Sequence, residues 1–223
     1  MNRVPSIVST HSAESALSTN KVLRNTYLLL GATLAFSAVT AGLAMVLNMP
    51  PLNMWLTLGV YFALLFGTMK TRESAWGLLF VFLLTGFLGL TLGPILNAYL
   101  RFLPNGGQVV MMALGTTAVT FVGLSAYAIR SGRNFSFMGG FLTVGIIAAF
   151  VLGLVAFFFN MPALSLAVSG LFVLLMAGLI LYQTGEIVNG GETNYISATV
   201  TLYVSIYNLF TSLLHLFGAT SDD

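Results

Sequence analysis

The sequence predicts an all-α membrane protein, a bundle of seven transmembrane helices. Three observations carry that prediction. Hydrophobic residues make up 57% of the 223 and charged residues 6%, against about 25% charged in a typical soluble domain. So few charges cannot clothe a water-facing surface, so lipid must be the main solvent. Second, the eight basic and six acidic residues leave long uncharged runs at 25–69, 74–100, 102–129, 134–185 and 193–221. Third, these runs do not alternate: Leu78-Leu79-Phe80-Val81-Phe82-Leu83-Leu84 has no polar-in, apolar-out period, which argues against a membrane barrel.

A spanning helix needs about 20 residues, so the first and fourth runs hold two helices each and the others one. Breakers stand where the doubles should divide: Asn48-Met49-Pro50-Pro51 and Asn160-Met161-Pro162. The expected spans are 27–47, 52–69, 76–100, 109–129, 137–159, 163–183 and 195–217. The second is the shortest, and charge bias supports it. With seven helices and a cytoplasmic N-terminus, Arg3, Lys21, Arg24, Lys70, Arg72, Arg130 and Arg133 lie inside and Arg101 alone outside. Without the second helix the basic residues divide evenly between the sides, against the positive-inside rule.

The domain organisation expected is a flexible cytoplasmic tail at 1–26, a seven-helix domain at 27–217 and a short external tail at 218–223. The first segment is Ser- and Thr-rich without clear periodicity. It is too long and polar a lead-in for a cleaved signal peptide.

Small residues recur on the helix faces. Gly86, Gly89 and Gly93 share a face of the third helix, Gly145, Ala149 and Gly153 one of the fifth, Ser165 and Ser169 one of the sixth. Such faces let membrane helices approach closely, and bundle packing is their ordinary reading. Gly93-Pro94 adds a candidate hinge: proline frees the carbonyl of Leu90, which leaves a kink, static or mobile.

The seventh helix carries Ser197, Thr201, Ser205, Asn208, Ser212 and His215 in one continuous polar stripe. Two readings stand: interhelical hydrogen bonding, or the lining of a wet path. Tyr203 and Tyr207 sit on a different face. At the end of the sixth helix, Gln183 and Glu186 share a face. Glu186 is a candidate titrating group if it lies in a dry crevice, and an ordinary solvated carboxylate otherwise.

Catalysis finds little material, so no enzyme is expected. H-E-x-x-H and G-x-S-x-G are absent, no Asp occurs before Asp222, and His11 and His215 lie on different segments. With no cysteine there are no disulfides or thiolate metal sites. No metal or cofactor is expected, and a net charge of +2 gives nucleic acid no footing.

Thr85-Gly86-Phe87-Leu88-Gly89-Leu90-Thr91-Leu92-Gly93-Pro94-Ile95-Leu96, followed by Ala113-Leu114-Gly115-Thr116-Thr117-Ala118-Val119-Thr120-Phe121, resembles the paired signature of the Bax inhibitor-1 family. Lys21-Val22-Leu23-Arg24-Asn25-Thr26-Tyr27 and Gly190-Gly191-Glu192-Thr193-Asn194-Tyr195-Ile196 resemble its bacterial YccA-like branch. The resemblance implies six helices around a central C-terminal seventh, in a bacterial inner membrane. It implies two activities: a pH-sensitive calcium leak, and modulation of (or degradation by) the membrane-bound AAA protease FtsH. The family's leak rests on two aspartates, on helices six and seven, that share a proton. The matching positions here are Gln183 and Ser205, neither acidic. A Gln–Ser hydrogen bond would hold the helices together without answering to pH, and Glu186 is the one nearby carboxylate able to substitute in part. The expectation is therefore an interaction protein that partners FtsH, with the calcium leak as the alternative.

Overall fold

The computed structural model describes residues 8–220, with side chains from residue 21 onward. Its elements are α1 (Val8–Val46), α2 (Met54–Thr71), α3 (Ala75–Phe102), α4 (Gly106–Ser131), α5 (Met138–Phe158), α6 (Pro162–Val188) and α7 (Tyr195–Ala219). All seven are long and apolar enough to cross a membrane, α1 through its segment Lys21–Val46. The shortest, α2, has 18 residues and is about 27 Å long, just under the bilayer's hydrocarbon thickness.

The loops follow from local chemistry. Both Asn-Met-Pro breakers form the same helix stop. Asn48 and Asn160 take positive φ angles of 50° and 48°, which asparagine tolerates better than most residues. The following amide then reaches back across the last turn, Met49 N to Ala44 O at 3.0 Å and Met161 N to Ala156 O at 2.9 Å. Gly190 (φ 77°) closes α6 in the same way, with Gly191 N on Glu186 O at 2.8 Å. Asn194 then opens α7 by accepting from the amides of Ile196 and Ser197, each at 3.0 Å.

The expected flexible tail is largely replaced by helix. Residues 8–26 continue α1. Between Pro5 and Gly31 the chain has neither proline nor glycine, so nothing stops a helix nucleated by the membrane span from propagating toward the N-terminus. The first seven residues of that tail, Arg3 among them, lie outside the described residues, as do Asp222 and Asp223.

Helices α1 and α3 pack most extensively, and the glycine face of α3 is the reason. A side chain at Gly86 would strike Phe36, at Gly89 the Ser37 carbonyl and Thr40, at Gly93 the Ala41 carbonyl and Ala44. On α5, Gly145 lies against Leu175 of α6, and Ala149 is fully buried. The small-residue faces are thus packing faces. α3 runs unbroken through Pro94, and Gly93 beside it is pressed onto α1.

The expected arrangement around α7 holds for five of the six other helices. α7 meets α6 most closely, then α4 and α1, and touches α3 and α2. α5 stands outside and packs on α6. α7 supplies Tyr203, Leu202, Leu209 and Leu214 to the fully buried core. Large apolar side chains cover the outside of the ring, among them Phe66, Val119, Phe141 and Leu174, each 69–75% exposed. That surface suits hydrocarbon and no other solvent. Trp55 and Trp76, which begin α2 and α3 at opposite ends of the bundle, take the interfacial positions typical of membrane tryptophans.

Candidate functional site

The polar groups inside the bundle fall into two sets along α7. The end that carries Lys21, Lys70, Arg72, Arg130 and Arg133 is here called the basic end.

The stripe on α7 is turned inward along its length. Ser197, Ser205 and Ser212 are buried, and Thr201, Asn208 and His215 are half-buried. Most of its hydrogen bonding stays within the helix: Ser205 Oγ donates to Thr201 O at 2.7 Å, and Asn208 Nδ2 to Val204 O at 2.9 Å. Among the described residues, His215 alone crosses, its Nδ1 lying 2.8 Å from Ser169 Oγ on α6.

The stronger ties come from two residues outside the stripe. Tyr203 is 1% exposed and its hydroxyl donates to the Thr85 carbonyl of α3 at 3.2 Å. A hydroxyl has one hydrogen, so Ser37 of α1, 2.6 Å away, must donate to Tyr203. One oxygen therefore joins three helices. By the same count, Thr91 Oγ1 donates to Leu88 O at 2.8 Å, so Tyr207 donates to Thr91 at 3.2 Å. The rings of Tyr203 and Tyr207 stack at 6.4 Å. Sequence reasoning placed these tyrosines off the stripe and missed their part. The available signal was two tyrosines one turn apart in a membrane span, where each hydroxyl must find a partner.

Toward the basic end lies a second polar group, shared by α1, α4, α6 and α7. Tyr27 of α1 reaches Thr184 Oγ1 of α6 at 3.3 Å, and its ring lies 5.9 Å from that of Phe121 on α4. The single hydroxyl hydrogen of Thr199 on α7 is shared between the Tyr195 carbonyl at 2.7 Å and the Thr26 carbonyl of α1 at 3.2 Å. Three buried atoms on these helices have no hydrogen-bond partner: Thr26 Oγ1, Ser125 Oγ and Gln183 Nε2. Buried polar groups are almost always satisfied, so their gathering on neighbouring helices marks this region as unusual.

The structure corrects the expected Gln183–Ser205 bond. Both residues are buried, at 6% and 0% exposure, but they are not bonded to each other. Ser205 spends its hydrogen on its own helix, and the amide nitrogen of Gln183 has no partner. Glu186 has a partner of its own. It is half-buried at the end of α6 and accepts from Ser136 Oγ at 2.6 Å. The rim around it is made of caps: Glu192 accepts from the Asn194 amide at 2.8 Å, and Asn194 Nδ2 donates to Glu73 at 3.1 Å. Among the described residues no group of three His, Asp or Glu side chains could hold a metal ion.

The fold and these buried ties define a class: a seven-helix membrane bundle strung on a polar α7. The sequence pattern of the family described as "Inhibitor of apoptosis-promoting Bax1" matches residues 19–222, and the chain belongs to that family. Its signature residues are now legible as packing. Thr85 lends its carbonyl to Tyr203, the glycines seat α1, and Ala113 and Thr117 are buried.

The chain is 50% identical, over all of both chains, to the Escherichia coli (strain K12) protein named "Modulator of FtsH protease YccA". It is 51% identical to an uncharacterized protein of Pseudomonas aeruginosa, covering 91% of this chain and 90% of that one. An uncharacterized membrane protein of Vibrio cholerae is 43% identical over 98% of each.

Proposed function

We propose that the chain is a non-enzymatic inner-membrane protein that modulates the FtsH protease and is itself drawn on as a substrate. One observation carries this reading: half of its residues, end to end, are those of the protein named as a modulator of that protease. The topology proposed with it puts the basic end in the cytoplasm, as the positive-inside rule requires. Arg101 and the end of α7 then face outward.

The interior supports an interaction role over a conducting one. The family's acid positions hold Gln183 and Ser205, which are not bonded to each other. The polar groups of α7 mostly bond within the helix or tie it to α1, α3 and α6.

Affinity purification of the full chain from membranes tests the reading. Co-isolation of FtsH, lost when the bait is a membrane protein of unrelated fold, is the expected result. If FtsH is recovered equally with both baits, the proposal fails. Deleting residues 2–20, which span the N-terminal extension of α1, should stop turnover of the chain by FtsH while leaving the bundle intact. Unchanged turnover would remove the extension as the protease's handle.

A further inference from the structure

Helices α2 and α5 do not meet along their backbones. Aromatic rings join them instead: Phe62 and Phe150 edge to face at 6.3 Å, Trp55 and Phe158 at 5.9 Å. Behind this seam lies a cavity of about 440 Å³, bounded by α2, α3, α5, α6 and α7. Its size falls within the range of small-molecule sites. Tyr61, on its wall, is seven residues into α2, about 10 Å below the helix end. The seam between α2 and α5 therefore opens at hydrocarbon depth, and an occupant must arrive from the bilayer.

Most of the wall is apolar, including Leu88, Ile147, Phe172 and Met176. Among its polar groups, Thr91 and Tyr207 spend their hydrogens on Leu88 O and on Thr91. Two donors remain open. The Tyr61 hydroxyl has no hydrogen-bond partner among the described residues, and Asn208 uses one amide hydrogen on Val204 and keeps the second. An unpaired donor in hydrocarbon is costly. Its complement is an acceptor oxygen on an apolar body.

We propose that this crevice binds a lipid-soluble quinone: a ring carbonyl accepts from Tyr61 and Asn208, and the aliphatic tail leaves between Phe62 and Phe150 into the bilayer. A phospholipid does not fit this pattern. Its ester carbonyls stay at the interface, near the end of α2, about 10 Å too shallow to reach Tyr61.

The test uses the full chain in lipid nanodiscs, with Trp76→Phe so that Trp55 at the seam is the only tryptophan. Titration with a decyl-substituted benzoquinone should quench Trp55 in a saturable way. Tyr61→Phe should weaken binding by roughly two- to tenfold, the weight of one neutral hydrogen bond. Val204→Phe, which fills the cavity, should abolish saturation. Decylbenzene, which has the tail but no carbonyl, should not compete. Linear, non-saturating quenching overturns the proposal. So does an unchanged affinity in Tyr61→Phe, or equal competition by decylbenzene. A melting curve shows whether Val204→Phe has folded, and if it has not, Tyr61→Phe and decylbenzene decide.

Discussion

The hydroxyl of Tyr203 and the amide of Gln183 are opposite cases of a buried polar group. Tyr203 is satisfied twice, by Ser37 and by the Thr85 carbonyl. Tyr203→Phe leaves Ser37 without its acceptor and takes a second bond from the Thr85 carbonyl, and should lower stability by about 1–2 kcal/mol, near the upper range for such bonds in membranes. Unfolding in mixed micelles measures it, and an unchanged midpoint would mean the bridge carries no weight. Gln183 is buried with its amide nitrogen unpartnered. Replacing such a group with an apolar one of similar shape removes a cost. Gln183→Leu should therefore be neutral or stabilising by up to about 1 kcal/mol, and a clear loss of stability would reveal a partner for that amide. Neither behaviour was legible in the sequence. Tyr203 stood off the polar stripe, and hydroxyl geometry, unlike periodicity, depends on which neighbour helix lies opposite.

Elements were far more legible. Charge gaps gave the number of helices because charge is costly in lipid, and Asn-Met-Pro gave the stops because asparagine tolerates the left-handed turn that proline then follows. The start of α1 was missed because a Ser- and Thr-rich stretch reads as tail when its attachment to a stable span is ignored. The faces of α3 were also legible, since three glycines in register admit a close neighbour. The neighbour itself, α1, was not. Gly89→Leu would drive a side chain into the Ser37 carbonyl and Thr40. It should cost at least about 2–3 kcal/mol through overpacking. Proteolysis of membranes checks this: cleavage in the α1–α2 loop should accelerate, and protection equal to the parent would contradict the packing.

For the whole molecule, the described spans hold no carboxylate away from the basic end. Gln183→Asp should add a carboxyl-driven dependence of stability on pH to whatever the parent shows across roughly pH 5 to 8, the range in which histidine ordinarily titrates. Burial raises a carboxyl's folded-state pKa above its unfolded value, so stability is fully present at low pH and falls as pH rises through the raised value. Melting temperatures of both chains across that range give the answer, and parallel curves would refute it. Finally, α7 is the pole on which five helices lean, yet it follows all six others in chain order. Helices made earlier must therefore wait in the bilayer with some of their hydroxyls only partly matched. Ser37 and Thr85 have no Tyr203 until the last span enters. The nascent bundle is thus a scaffold awaiting its keystone, and for that interval it resembles the unfinished membrane protein that a quality-control protease would seize.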